Sequence, residues 1–219
     1  MIEVRTLTSA PFAVNAFVAR EGQSALVVDS TSGLDWPAFE PKLREALGGA
    51  RVEACHLTHL HVDHVGGAAR VARLTGAPLV MHADEAFAVE EGDLIATGAA
   101  LFGGAMEAHP VTRVREGDTL ALGAAKLEVL LVPGHSPAHT ALWEPESRSL
   151  FSGDVVFEGG SFGRVDLPGG DEKALVASLE KLAALDPLHV YPGHMRPILG
   201  RGREALLESL ENAREMFGL

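Results

Sequence analysis

Cysteine is nearly missing from this sequence: Cys55 stands alone among 219 residues. A single thiol excludes an intrachain disulfide framework and fits a reducing compartment. Lysine is scarce as well, four against fourteen arginines, and acidic residues outnumber basic ones by 30 to 18. The resulting formal charge of −12 argues against nucleic acid or an anionic membrane as partner, because both reward clustered cations. No run of 18 apolar residues occurs, and the chain does not open on a basic stretch followed by an apolar one. The expectation is a soluble, cytoplasmic protein that acts on a small molecule. What is plentiful is hydrophobic residue, 47% of the chain, with Gly and Pro scattered throughout. That mixture predicts one compact domain over residues 1–219.

Short apolar runs broken by Gly, Asn and Pro predict strands at IEVRTLT (2–8), NAFVAR (15–20) and SALVVDS (24–30). A helix follows, with Asp35 as its cap, Pro37 in its first turn, and Trp36, Phe39, Leu43 and Leu47 on one stripe before Gly48 and Gly49. Further strands are expected at VEACHLT (52–58) and PLVMH (78–82), on either side of a helix at AARVARLTG (68–76). Residues 83–108 fit neither period cleanly and read as a loop or lid with a short helix. Hairpin strands are expected across 111–135, then strands at TALWEP (140–145) and SLFSGDVVF (149–157). Helix DEKALVASLEKLAAL (171–185), strand PLHVYPGH (187–194) and an amphipathic helix at 203–217, with Leu206, Leu207, Leu210 and Phe217 inward, complete the pattern. It predicts an α/β arrangement of two packed sheets with helices outside them.

Thr58 to Gly67 reads THLHVDHVGG and sets His59, His61, Asp63 and His64 within six residues. In a helix, residues i and i+2 lie roughly 200° apart, whereas an extended segment puts them on one side. His59 and His61 can therefore face one ion only if this stretch is extended or turning. Gly66 and Gly67 allow a bend into the next helix, so Asp63 and His64 can aim elsewhere. Two imidazoles toward one ion and a carboxylate plus imidazole toward a second is the natural reading. Each ion needs at least three protein ligands. His135 and His194, each presented by a Pro-Gly turn after an apolar strand, and Asp154 in FSGDVVF are the candidates. Imidazole nitrogen with carboxylate oxygen suits Zn²⁺, Fe²⁺ or Mn²⁺.

THLHVDH, PGH at 133–135, GD at 153–154 and PGH at 192–194 resemble, in order and across almost the whole chain, the metal-binding motifs of the metallo-β-lactamase superfamily. The resemblance implies a four-layer αβ/βα sandwich with two divalent metal ions per chain, zinc first and iron or manganese as alternatives. It also implies His59, His61 and His135 on the first metal, Asp63, His64 and His194 on the second, and Asp154 bridging. SFGRVDLPGGD (161–171) is similar to the GRxD segment of small glyoxalase-II-like hydrolases and of the related persulfide dioxygenases. The best-known lactamases carry cysteine where this chain has Asp154, which argues against penicillin hydrolysis. Only 25 residues follow His194, too few for the helical domain with which full-length glyoxalase II grips glutathione.

The expected chemistry is hydrolysis of a thioester such as a hydroxyacyl-glutathione-like substrate, by a hydroxide shared between two ions, with Asp63 and Asp154 as the catalytic carboxylates. A mononuclear Fe(II) persulfide dioxygenase using His59, His135 and Asp154 is the main alternative. A non-catalytic metal-binding scaffold is a third reading, and a nuclease is disfavoured by the acidic composition. Arg164, Phe162 and Arg196 are candidate substrate contacts, although Arg164 could instead pair with Asp166, and Arg196, Arg201 and Arg203 could be a solvated helix start. Phe102 and Met106 belong either to the mouth of the site or to a local core. His139 is expected to be a hydrogen-bonded neighbour of the ligands, His56, His82, His109 and His189 core or rim residues, and Cys55 a small buried hydrophobe.

Overall fold

The computed structural model describes residues 2–10 and 12–219. Strands β1 (Glu3–Ser9), β2 (Val14–Glu21) and β3 (Ser24–Val28) form an antiparallel meander. Helix α1 (Trp36–Leu47) leads to β4 (Arg51–Leu57). The one-turn α2 (Val62–Val65) and then α3 (Ala68–Thr75) lead to β5 (Leu79–His82). Two further single turns, α4 (Phe87–Glu90) and α5 (Ala99–Phe102), precede β6 (Val111–Val114). Strands β3 to β6 are parallel, and the first sheet runs β1-β2-β3-β4-β5-β6.

The second sheet begins with β7 (Thr119–Leu122), β8 (Ala125–Leu131), β9 (Thr140–Glu144) and β10 (Ser149–Gly153). A two-stranded ribbon, β11 (Val156–Phe157) with β12 (Ser161–Phe162), and helix α6 (Glu172–Ala184) intervene before β13 (His189–Pro192), β14 (Ile198–Leu199) and α7 (Gly202–Phe217). Its order is β14-β13-β10-β9-β8-β7, with β10 and β13 parallel.

Three apolar layers hold these elements together. Phe17, Leu26, Val28 and Val80 of the first sheet face Leu127, Val129, Leu142 and Phe151 of the second, with Phe17 edge-on to Phe151 at 5.7 Å. Phe39 and Leu43 of α1 and Val71 of α3 cover the outer face of the first sheet. Leu175 and Leu179 of α6 and Leu206 and Leu210 of α7 cover that of the second. This is the helix–sheet–sheet–helix sandwich expected. Among the described residues, no helix is long and apolar enough to cross a membrane.

Three local expectations are corrected. The 111–135 stretch is not one run of hairpins: β6 joins the first sheet beside β5, and only β7 and β8 pair as a hairpin. The chain changes sheets at a turn where the Asp118 carboxylate accepts the Arg115 N–H at 2.8 Å. Asp35 stands at the start of α1 but makes no cap; its carboxylate instead takes the Ser9 hydroxyl and the Ala10 N–H, stitching β1 to the helix. Leu207 does not face the core of α7 but is 39% exposed, because Ala205, Leu206, Ser209, Leu210 and Ala213 complete the buried stripe. Leu206→Ala should therefore cost about 2–5 kcal/mol and Leu207→Ala less than about 0.5 kcal/mol, as read from urea unfolding midpoints; similar costs at both positions would contradict this packing.

Candidate metal centre

Each candidate ligand follows the C-terminal end of a strand: His59, His61, Asp63 and His64 after β4, His135 after β8, Asp154 after β10 and His194 after β13. The parallel pairing of β10 with β13 delivers Asp154 and His194 to the same edge. At the other sheet, residues 58–61 belong to no helix or strand, and His61 is extended (φ −66°, ψ 142°). Asp63 and His64 then lie on the single turn of α2, with the His64 ring 4.2 Å from that of His59.

The ligand atoms converge in three overlapping groups: His59, His61 and His135; His59, His64 and Asp154; and Asp63, His64 and His194. Within each group all ligand atoms lie within 4.8 Å of one another. His61 Nδ1 and His135 Nε2 are 2.9 Å apart. Asp154 sits among the groups, with Oδ1 3.3 Å from His64 Nε2 and Oδ2 3.5 Å from His135 Nε2 and 3.4 Å from His194 Nε2. Asp63 Oδ2 lies 3.3 Å from His194 Nε2.

Gly193 makes this crowding possible. A Cβ there would stand 2.1 Å from Asp154 Oδ1 and 2.6 Å from the His64 ring. Gly153, at φ +49°, has the same role beside the His139 ring, which a Cβ would meet at 2.6 Å.

The donor set fits metal ions on one decisive observation: His59 Nε2 is buried without a hydrogen-bond partner, and the equally buried His64 Nε2 and Asp154 Oδ1 face each other at 3.3 Å. Their other ring nitrogens are committed. The buried Asp29 carboxylate accepts from His64 Nδ1 at 2.8 Å and from the Thr58 hydroxyl, beside which His59 Nδ1 lies at 3.0 Å. His135 Nδ1 donates to the Arg164 carbonyl at 2.7 Å. With those nitrogens engaged, the Nε2 atoms of His59, His64 and His135 are the ones each ring turns toward the centre.

Electrostatics separates the groups. Burial, reinforced by the neighbouring imidazoles, drives His59 well below the usual histidine range. Burial and His135 push His61 down to about 4. These rings are neutral, the form a metal needs. Burial also works against the cation at His64, but Asp154, Asp29 and Asp63 outweigh it and hold that imidazole well above its ordinary value. At His194 burial is likewise overcome by Asp154 and Asp63, raising it to about 9. For Asp154, burial is outweighed by His64 and His194, which keep the carboxyl far below the usual range. At this second group ligation competes with a proton.

The model of the Metallo-beta-lactamase superfamily matches residues 9–194. The chain belongs to that superfamily. A Bacillus subtilis (strain 168) protein named probable metallo-hydrolase YqgX is 32% identical over 91% of this chain and 90% of its own. A hydroxyacylglutathione hydrolase from Polaromonas sp. is 36% identical over 72% of this chain, which spans 56% of that enzyme. Among solved structures, TTHA1623 in a di-iron-bound form superposes with a TM-score of 0.75 at 36% identity, over 89% of this chain and 94% of that one. The BLEG-1 B3 metallo-β-lactamase gives 0.80 at 28% identity, over 95% and 97%.

In this member of the superfamily the ligands open onto a cavity of about 410 Å³. His61, Asp63, His135, Asp154 and His194 line it, whereas the fully buried His59 and His64 stand behind them. Its walls are Phe12, Phe102, Phe157, Phe162, Leu167 and Met195. Of the candidate substrate contacts, Phe162 and Arg164 line it, and the Arg164 guanidinium also holds Asp166 through two 2.6 Å bonds. Arg196 is exposed and is not among the lining residues. Arg201 pairs with Glu208, and Arg203 lies 3.8 Å from Asp186. Met106 packs against the first-sheet core. A larger cavity, about 800 Å³ between the ribbon and α7, contains none of the ligands.

The other histidines belong to none of the three groups. His139 Nε2 accepts the Asp154 N–H at 3.0 Å, and its ring stacks on His59. His56 meets Thr140, His82 accepts the Asp84 N–H, His109 donates to the Pro110 carbonyl and His189 accepts from Gly200. Cys55 is fully buried, and burial, aided by Asp29, pushes its thiol up.

Two supporting residues have no sequence signal of their own. Asp29, held at φ +61°, anchors His64 and Thr58. Asn15 carries the His194 turn: its side-chain amide donates to the Pro192 and Met195 carbonyls, and its N–H to the Gly193 carbonyl. Gly193→Ala should leave the fold intact and lower metal retained after dialysis by about 10-fold or more, because the added methyl must displace Asp154 or His64. Unchanged metal content would show that the site relaxes around it.

Proposed function

We propose that the chain is a dinuclear metal-dependent hydrolase that cleaves a thioester, most readily one of the hydroxyacyl class named in its glyoxalase-II relatives. The observation that carries this reading is the seven-residue ligand set split around Asp154. His59, His61 and His135 would hold one ion, Asp63, His64 and His194 the other, and Asp154 both. Zinc is the first choice, and the similarity to a di-iron-bound structure supports iron as well. When bound, two such ions supply Lewis acidity toward a carbonyl oxygen and bring the pKa of water from about 15.7 to about 7.

The chain's own side chains supply position. Asp154 keeps the two groups in register, and its backbone is fixed by His139. Asp63 lines the cavity and would orient the attacking water. The apolar walls exclude bulk water from the acyl group. Apart from the ligands, Arg164 is the one ionisable group among the lining residues, so no acid stands ready for a poor leaving group. A thiolate leaves without one, whereas an amine does not.

Elemental analysis of protein purified without chelator should find two ions per chain; a firm value of one, unchanged on adding metal, would sink the dinuclear mechanism. His64→Ala or His194→Ala should lower thiol release from a lactoyl-type thioester by about 10²-fold or more, under nitrogen as in air. Oxygen uptake with glutathione persulfide, no thioester cleavage, and tolerance of both substitutions would instead identify a dioxygenase.

A further inference from the structure

Glu85 lies in the turn at residues 83–86, between β5 and α4, outside every ligand motif, and is only 2% exposed. Its two carboxylate oxygens serve two different loops. Oε2 accepts the Leu60 N–H at 2.9 Å and Oε1 the Ala138 N–H at 2.8 Å. Leu60 separates His59 from His61, and Ala138 lies between His135 and His139. Residues 58–61 and 132–139 belong to no strand or helix, so no ladder sets their separation. At their base the Thr140 N–H donates to the Thr58 carbonyl at 2.8 Å. Two residues further out in each loop, Glu85 supplies the next tie.

We infer that Glu85 is a positioning residue for the three-histidine group: one carboxylate oxygen per loop sets the distance between His61 and His135, whose ring nitrogens lie 2.9 Å apart. The inference rests on the reading of those histidines as metal ligands. A carboxylate suits the task because both oxygens accept. Glutamine has the same shape but offers one oxygen and one NH₂, which sets a donor against a backbone donor in one loop. The asymmetry predicts a site-selective fault. The Asp63, His64 and His194 group hangs on α2, Asp29 and Asn15, none of which Glu85 bonds.

The test is cobalt(II) titration of the whole chain against a competing chelator. Glu144 serves as the control: it is equally buried, but its carboxylate accepts the N–H groups of Glu146 and Ser147 in its own turn. E85Q should weaken one of the two ions by about 10- to 100-fold, the scale of removing a ligand's outer partner, and leave the other within about threefold. E144Q should lower the melting temperature and change neither affinity. Wild-type affinities in E85Q, or a loss shared equally by both ions, would overturn the inference. If E85Q does not fold, Glu85→Asp, one methylene too short to reach both loops, is read by the same criteria. A wild-type chain that takes up a single ion refutes the dinuclear reading separately, and Glu85 is then judged on that ion's affinity alone.

Discussion

Polar atoms crowded together inside a folded protein are the constraint on which this structure depends. His59 Nε2 is buried without a partner, His64 Nε2 and Asp154 Oδ1 are buried facing each other at 3.3 Å, and four further candidate ligands crowd the same space. Each unsatisfied buried group costs roughly 1–3 kcal/mol relative to its hydrated state. A flexible chain would relieve that cost by turning the side chains toward water or toward each other's protons. Holding them together requires that every route of escape be closed, and the surrounding contacts do so in turn. Asp29 and the Arg164 carbonyl occupy the ring nitrogens on the far sides of His64 and His135. Gly193 lets backbone approach where a methyl would push Asp154 and His64 apart, and Gly153 does the same beside His139.

The sandwich meets this demand by bringing strand ends from both sheets to one edge. Neither sheet could build the site alone, since four of the candidate ligands follow β4 and the other three follow β8, β10 and β13. The packing of Phe17 and Leu26 against Leu142 and Phe151 therefore fixes the relation between the ligand groups as well as stabilising the fold. Asn15 makes that coupling explicit, because it belongs to β2 of the first sheet yet holds the His194 turn of the second.

The same edge separates two electrostatic environments a few ångströms apart. The rings of His59 and His61 are neutral through burial and mutual repulsion, whereas His64 and His194 lie among carboxylates that favour their protonated forms. The apolar walls keep these interactions from being screened by water. A hydrolytic site gains from that exclusion, since the polar groups it contains are already oriented and need not reorganise during reaction.

That the candidate ligand run 58–67, both PGH turns and the GD pair belong to one site was legible because their meaning lies in spacings of a few residues, which backbone geometry alone constrains. Strands and helices with strong periodicity were legible for the same reason, and with them the layered class of the fold. Features that depend on distant partners were not. Nothing local told β6 to leave β7 for β5, or Leu207 to face solvent beside the buried Leu206. Asp35 reads as a helix cap until β1 passes within reach of its carboxylate. Asn15 and Met195 are 180 positions apart, Asp29 and His64 35, and Glu85 and Ala138 53. The sequence by itself determined which side chains could ligate and what kind of fold would carry them, since both follow from local chemistry and pattern. Only the tertiary structure decided which polar residues hold those ligands in place, because a hydrogen bond between remote segments leaves no periodic trace in either one.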